Sequence, residues 1–425
     1  MKNFNTKYNT QKTFSINNIS FKFAQLKYKS MKQLKLLILS LLIFSTFNTI
    51  HAQDDEKGTR LNSIESVIPF ITIAPDSRSG AMGDVGAATS PDIFSQHWNP
   101  AKYAFMEGQY GIATSFTPWL RNLVNDINLA YLSGYYRIDD KQTISGALMY
   151  FSLGNVRFTS GRDDDGWDVN PNEFSIDLGY SRMLSPNLSG ALSLGFILSN
   201  IAPGGGVGLE EFKPGYSFKA GLSVYQQKEI QLSGLPGEFA WGVNISNLGT
   251  PISYTDNEEK NFIPTNLRVG TRMSIDMDDY NSFNLAFDIN KLMVPTPPVY
   301  YQDSLDASGK KVIKDGREKP NSAIQSWIQS FYDAPDGFIE EWHEFMFSVG
   351  GEYWYRKQFA IRGGYFYEHE TKGNRKYFAT GVGLKLNVLT IDFSYLIPTA
   401  GRNNPLANTM RFSLSFDFDK FSNYR

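Results

Sequence analysis

The chain has 425 residues, of which 41 are Lys or Arg and 43 are Asp or Glu, and it contains no cysteine. The absence of cysteine excludes disulfides, thiolate metal sites, cysteine nucleophiles and a lipid anchor on an N-terminal cysteine. Eight of the basic residues lie in residues 1–52, which hold no acidic residue, so the remaining 33 face 43 acidic side chains; this balance argues against a nucleic-acid partner, which requires a basic surface.

The N-terminus has the pattern of an export signal. Lys32 and Lys35 precede an apolar run of about a dozen residues (36–47) and a candidate cleavage site after Ala52. The run is short for a transmembrane helix, which needs ~20 residues, and suits a signal-peptide core. We predict that residues 1–52, read from Met1 or from Met31, form a signal peptide with an N-terminal extension and are removed; a retained anchor helix is the alternative.

A glycine-rich stretch, 80–90, is followed by Ser-Gln-His-Trp-Asn-Pro-Ala at 95–101. Glycines permit close backbone approach, and Pro100 disfavours helical backbone at Asn99, so we expect a closely packed segment that ends in a turn. Asp92, Ser95 and His97 could form a hydrolytic triad. Neighbours in sequence usually do not supply all three groups in contact, so we favour a histidine with ordinary hydrogen bonds.

Beyond residue 108, apolar and polar residues alternate in segments of about ten residues, as in β-strands. In the clearest segment, 410–418, Phe412 and Leu414 share one face, and Arg411 and Ser413 share the other. Fourteen such segments begin near residues 110, 127, 142, 174, 188, 215, 237, 265, 282, 344, 359, 375, 389 and 408.

The predicted connections alternate between short turns, such as 139–141 and 387–388, and long loops, such as 295–343; one link, 226–236, is on the short side but not very short. This alternation is typical of an outer-membrane barrel with short periplasmic turns and long extracellular loops. A soluble periplasmic sandwich or barrel would bury its apolar face and lack the loop pattern. We therefore predict an all-β fold, a 14-stranded antiparallel outer-membrane β-barrel over 109–420 with a tail at 421–425, and aromatic girdles that include Tyr135 and Tyr136.

Some long loops have apolar residues at helical spacing. We expect short extracellular helices in 321–332 and 337–345, and a third that begins at Thr117 and Pro118. They either cap the lumen or form a docking surface, because exposed apolar patches mark partners. The candidate contacts are Trp119, Leu120, Leu123, Trp327, Phe331 and Trp342.

An acidic loop at 161–170 contains Asp163, Asp164, Asp165 and Asp168. Its spacing resembles part of a calcium loop, but Glu173 is misplaced by one position, so a solvated acidic loop is favoured. No metal, cofactor or catalytic residue is predicted.

The Asn-Pro-Ala turn resembles the motif of the FadL-type outer-membrane barrels, whose N-terminal stretch folds as a hatch inside the lumen. The stretches 69–105 and 115–136 closely resemble the PorV family, the FadL-like barrels of the type IX secretion system in the Bacteroidetes. The resemblance implies a periplasmic or lumenal hatch over 53–108, with Asn99, Pro100 and Ala101 at the entry to the barrel.

The resemblance also implies a function. Such proteins are integral, non-enzymatic outer-membrane components of a system for protein secretion and gliding motility. They act with a large translocon barrel, bind the C-terminal domains of secreted cargo, and carry cargo to a surface attachment complex that contains a sortase. Membrane lipid is a further expected partner.

Two other functions remain open from the sequence. A FadL-like channel for hydrophobic small molecules predicts an apolar pocket below the outer loops and a lateral gap in the wall. An outer-membrane lipid-modifying enzyme predicts that Asp92, Ser95 and His97 act together.

Overall fold

The computed structural model describes residues 61–418, except for 122–123, 125, 160–165, 202–205, 208–209, 212, 256–260, 307–308 and 400–403. The predicted signal peptide, the C-terminal tail, Leu123 and Asp163 to Asp165 lie outside the described residues. The chain divides into two units, Met1–Thr59 and Arg60–Arg425, and all of the described residues belong to the second.

Fourteen antiparallel strands close into a barrel. They are β1 Tyr110–Pro118, β2 Asn128–Asp139, β3 Gln142–Ser152, β4 Asn172–Ser185, β5 Leu188–Asn200, β6 Gly215–Leu232, β7 Leu235–Gly249, β8 Asn266–Asp276, β9 Asn281–Leu292, β10 Phe345–Tyr355, β11 Phe359–Tyr367, β12 Lys376–Leu386, β13 Leu389–Pro398 and β14 Met410–Asp417. Each strand pairs with its neighbour in chain order, and the seam joins β1 to β14. Every strand begins within two residues of its predicted start, so the predicted 14-stranded barrel is confirmed.

The strands are apolar outside and polar inside. On β14, Phe412 and Leu414 are exposed on the outer face, while Arg411 and Ser413 are buried in the lumen. Such a wall is stable only where its outer face meets lipid, and closure is required because an open sheet edge would leave backbone groups unpaired there. One prediction on this pattern is wrong, because Tyr135 faces inward and is buried, so of the two tyrosines only Tyr136 lies on the outer face.

The connections divide into two classes, as predicted. Six turns have two to four residues, and seven loops have eight to 52. The link predicted over 226–236 is wrong, because β6 and β7 continue through it to a two-residue turn at Ser233 and Gly234. Both turn residues have positive φ, 54° and 87°, as a type I′ hairpin turn requires.

Short helices lie before the barrel and in its longest loop. Helices α1 Ser77–Ala81 and α2 Ser95–Trp98 precede the barrel, with 3₁₀ turns at Pro69–Thr72 and Pro100–Phe105. The longest loop contains α3 Ala323–Gln329 and α4 Phe338–His343, which confirms the two helices predicted there. None of the helices in the described part of the chain is long and apolar enough to cross a membrane.

The helix predicted to begin at Thr117 is wrong. Thr117 and Pro118 instead end β1, paired with Leu129 and Asn128, and Trp119 N donates to Ile127 O at 2.9 Å. Leu120 then has a φ of 51°, which a right-handed helix does not allow.

Candidate functional site: the filled lumen and the long-loop rim

Residues 61–108, here called the lumen segment, run along the barrel from the long-loop end to the short-turn end. At the long-loop end, Asn62 N donates to Thr371 O at 3.0 Å. At the other end, Ser189 Oγ donates to Ala101 O at 2.6 Å and Thr143 Oγ1 to Tyr103 O at 3.2 Å. Ser189 and Thr143 each lie one residue from the start of their strand, next to a short turn. The segment therefore spans the lumen.

The Asn-Pro-Ala turn is built around the Asn99 side chain, which is buried. Its amide nitrogen donates to Ala87 O at 2.8 Å and to Val224 O at 3.0 Å, and its oxygen accepts from Ala101 N at 3.1 Å. Gly242 leaves the space for this contact, because a side chain there would collide with Ala87 O. The motif thus fastens two parts of the lumen segment to the barrel wall.

A buried ionic network joins the lumen segment to three strands. Arg78 binds Glu352 of β10 with two nitrogens, at 3.0 and 2.8 Å, and Asp92 at 2.9 Å. Arg362 of β11 binds Glu352 at 2.7 Å and Asp392 of β13 at 2.6 Å. This network was not predicted from the sequence, although Glu352, Arg362 and Asp392 are charged residues at polar, inward positions of their strands.

The lumen segment also bridges the barrel seam. On β14, Ser413 Oγ accepts from Ser77 N at 2.8 Å, and Arg411 Nε donates to Ala74 O at 3.1 Å. On β1, the Ser115 hydroxyl donates to Pro75 O. Residues 74–77 therefore hold the first and last strands together.

Apolar residues of the segment fill the long-loop half of the lumen. Ile68, Phe70 and Ile71 belong to a buried cluster with wall residues such as Phe151, whose ring stacks on Phe70 at 5.9 Å. A neighbouring cavity measures about 90 Å³, and its lining combines apolar side chains with polar groups, among them His97, Lys219, Asn244 and Arg268. Ligand pockets usually measure ~300–1,000 Å³ and are apolar, so this cavity suits water better than a hydrophobic solute.

Asp92, Ser95 and His97 do not assemble as a triad. Ser95 Oγ donates to Asp92 Oδ1 at 3.1 Å, while the His97 ring packs edge-on against Trp98 at 4.8 Å and Tyr131 at 6.4 Å. Among the described residues, no hydrogen bond links the His97 ring to Ser95 or Asp92. Likewise, no group of three or more His, Asp or Glu within the described ranges could hold a metal ion.

At the long-loop rim, two lysines and three glutamates form a buried cluster. Lys291 Nζ lies 2.5 Å from Glu344 and 3.3 Å from Glu341. Lys372 Nζ lies 2.7 Å from Glu340 and 3.0 Å from Glu344. Glu340 also accepts from Asn62 Nδ2 at 2.9 Å, so the cluster ties α4 to the lumen segment.

Titrating groups surround this cluster. Burial, together with the nearby charges of Glu344 and Glu341, raises the pKa of Asp333 to about 7. The rings of His343 and His369 stack at 3.5 Å, and burial lowers the pKa of both imidazoles. The hydrogen bond to Lys372 contributes to holding the pKa of Glu340 below its usual value, although burial opposes it.

The rim helices expose Ile324, Ile328, Phe338, Ile339 and Trp342, and Phe331 is exposed just after α3. Three of the predicted contacts, Trp119, Leu120 and Trp327, are half-buried, and two, Phe331 and Trp342, are exposed. Phe331 and Trp342 lie in the same part of the rim. The Nζ atom of Lys291 lies 5.3 Å from the centres of both the Phe331 and the Phe345 rings. The Trp342 ring packs on the Phe345 ring, with 5.5 Å between their centres.

Several solved structures are similar in shape to this chain. The toluene transporter TodX of Pseudomonas putida is 10% identical, with 84% of this chain and 100% of that chain covered and a TM-score of 0.44. The toluene transporter TbuX of Ralstonia pickettii is 12% identical, with 80% and 96% covered and a TM-score of 0.41. A FadL homologue of Pseudomonas aeruginosa is 9% identical, with 84% and 100% covered and a TM-score of 0.41. At these identities and TM-scores, the similarity does not indicate a function for this chain.

Comparison with curated proteins gave no match. The family model described as type IX secretion system protein PorV matches residues 53–299. This match includes all of the described lumen segment and strands β1 to β9. Because it extends over more than half of the chain, the protein belongs to the PorV family of type IX secretion system proteins.

Proposed function

We propose that this outer-membrane barrel works without catalysis of its own, binding the C-terminal domains of exported cargo at a large translocon barrel and delivering them to the surface attachment complex. The observation that carries the proposal is the filled lumen. The chain's own residues 61–108 occupy the interior through buried hydrogen bonds and ion pairs, so the rim is left as the surface for partners.

Helix α3 supplies the most suitable contact surface. Ile324 and Ile328 of the helix are exposed, as is Phe331 two residues beyond its end, while the polar Ser326, Gln329 and Ser330 are buried. Exposed aromatic and aliphatic anchors of this kind dominate protein interfaces. Trp327 and the Trp119–Leu120 corner are half-buried and would flank the contact.

The full-length tagged protein, extracted from native membranes with its partners, tests the proposal. Mass spectrometry of the captured material is expected to show a very large outer-membrane barrel and surface-exported proteins. Recovery of lipid alone would contradict the proposal.

The rim is tested by Phe331→Ala, with Tyr301→Ala as the matched control. Both residues are exposed aromatics of the same long loop. Loss of an aromatic anchor typically costs ~2 kcal/mol or more, so Phe331→Ala is expected to weaken cargo capture by more than about tenfold. Equal capture by the two variants would remove Phe331 from the contact.

A further inference from the structure

Helix α4 has its apolar side chains outside and its charged side chains inside, the reverse of a helix that lies between a protein core and water. Phe338, Ile339 and Trp342 are 82%, 69% and 55% exposed, whereas Glu340 and Glu341 are buried. A water-facing helix places its charges outside and its apolar stripe inside. The inversion matches that of the barrel strands, whose apolar face meets lipid.

The apolar face of α4 is continuous with the outer surface of the barrel. The Trp342 ring packs on Phe345 at 5.5 Å and on Phe347 at 6.0 Å. Phe345 and Phe347 share the outward face of β10 with the exposed Val349, and Phe347 stacks on Phe287 of β9 at 6.4 Å. A line of aromatic rings therefore leads from the helix onto the lipid-facing wall.

The height of α4 along the barrel places it at a membrane surface. Strand β10 has 11 residues, and at ~3.4 Å per residue and a tilt of ~40° it rises about 28 Å. The apolar band of such barrels is about 25 Å tall. Only one residue separates the end of the helix from the start of β10, so the helix lies where hydrocarbon gives way to headgroups.

The buried cluster fixes this orientation. Glu340, Glu341 and the adjoining Glu344 are bound by Lys291 and Lys372 on the protein side. If α4 rotated to bury its apolar residues, these ion pairs would break, and the buried lysines would become exposed or would lose their partners.

We propose that α4 is a membrane-surface anchor, with Phe338, Ile339 and Trp342 inserted among the lipids of the leaflet next to the long loops. The continuity with the lipid-facing wall favours lipid over a second copy or a protein partner. Tryptophan beside aliphatic residues is typical of segments that lie in the interface. The anchor would hold the loop that carries α3 at a fixed height above the membrane.

Because the chain has no cysteine, single nitroxide labels can test the anchor. Ile339→Cys is compared with Leu194→Cys on the lipid-facing wall and Leu305→Cys in the same loop, at native positions that are 69%, 69% and 66% exposed. The labelled full-length proteins are placed in phosphatidylethanolamine–phosphatidylglycerol vesicles, and collision with oxygen and with a water-soluble nickel chelate is measured by electron paramagnetic resonance. Heat-dependent gel migration verifies that each barrel is folded, and Phe338→Cys serves as a second site.

The ratio of oxygen to nickel accessibility at residue 339 is expected to exceed that at 305 several-fold and to stay below that at 194, because residue 194 lies at the middle of β5 and oxygen concentrates toward the centre of the bilayer. A nickel accessibility at 339 equal to that at 305 would overturn the proposal. Protection of 339 from both reagents, together with a dimeric or partner-bound mass, would also overturn it in favour of a protein contact.

Discussion

At the level of single residues, Glu352 is one of the wall groups that hold the lumen segment. It binds Arg78 of the segment and Arg362 of the next strand. Removing one member of a buried ionic group leaves the other charges uncompensated. The loss is therefore larger than for an ion pair at the surface.

The substitution Glu352→Gln tests this role, because it keeps the size of the side chain and removes its charge. We expect the free energy of unfolding, measured by urea titration in vesicles, to fall by about 3–5 kcal/mol. The control is Asp140→Asn, which removes an exposed partner of Arg137 in a short turn and is expected to have no measurable effect. Equal stability of the two variants would contradict the role of Glu352.

Asp333 is expected to make the rim sensitive to pH. Its pKa is raised in the folded protein to about 7, so in the folded state it keeps a proton that the unfolded chain has already released. Its contribution to stability therefore falls as the pH rises from about 4 to about 7 and stays low above that. Between pH 6.5 and 8 the expected change is roughly 1 kcal/mol.

Hydrogen exchange of the α3 and α4 amides, corrected for the intrinsic effect of pH, measures this change. Protection should decrease from pH 6.5 to 8 in the wild-type protein and stay level in Asp333→Asn, in which the amide oxygen can still accept from Thr296 N. Burial lowers the pKa of His343 and of His369, which moves their titration toward the acidic side of this window. If protection decreased equally with pH in the wild-type protein and in Asp333→Asn, another group would be responsible.

Residue contacts were the part of the site least accessible from sequence. Asn99, Pro100 and Ala101 were identified by a motif, but nothing local to Arg78 indicates Glu352, 274 positions away. Lys291 is a similar case, because it occupies an outward strand position and its partners Glu341 and Glu344 are 50 and 53 positions away. Such pairings depend on the folded wall and not on spacing along the chain.

At the level of elements, the lumen segment has a direction that the chain order alone does not reveal. It enters β1 from the short-turn end, yet Asn62 lies among the long loops. If the long loops face the medium, residue 61 is at the cell surface.

Cysteine labelling tests this direction. Leu61, which is 78% exposed, is replaced by Cys, and Asp140→Cys in a short turn is the matched control. A membrane-impermeant maleimide should label residue 61 on intact cells and residue 140 only after permeabilisation. The reverse pattern would invert the barrel in the membrane.

Strands were predicted well and loop elements less well, for a physical reason. A strand with one lipid-facing side repeats its polarity every two residues, and that signal is local. The Thr117–Pro118 helix start was overridden by pairing with β2. The prediction for the link at 226–236 was wrong because the polar run from Gln226 to Glu229 obscures the alternation where β6 and β7 extend past their neighbours.

At the level of the whole molecule, the short and long connections and the inverted polarity together determined the architecture. Their combination is specific because each follows from the same environment, a lipid layer with different space on its two sides. Function required the family match, since a barrel fold alone hosts many activities.

The bridge that residues 74–77 make across the seam has a consequence for biogenesis. The wall is completed by only six residue pairs between β1 and β14, and the same short peptide hydrogen-bonds to both partners. A packed interior leaves no route for threading a chain through a finished cylinder, so we expect the leading residues to be laid down first and the final hairpin to fold around them. The earliest-synthesised part of the mature protein would then serve as the template on which the last-synthesised part docks.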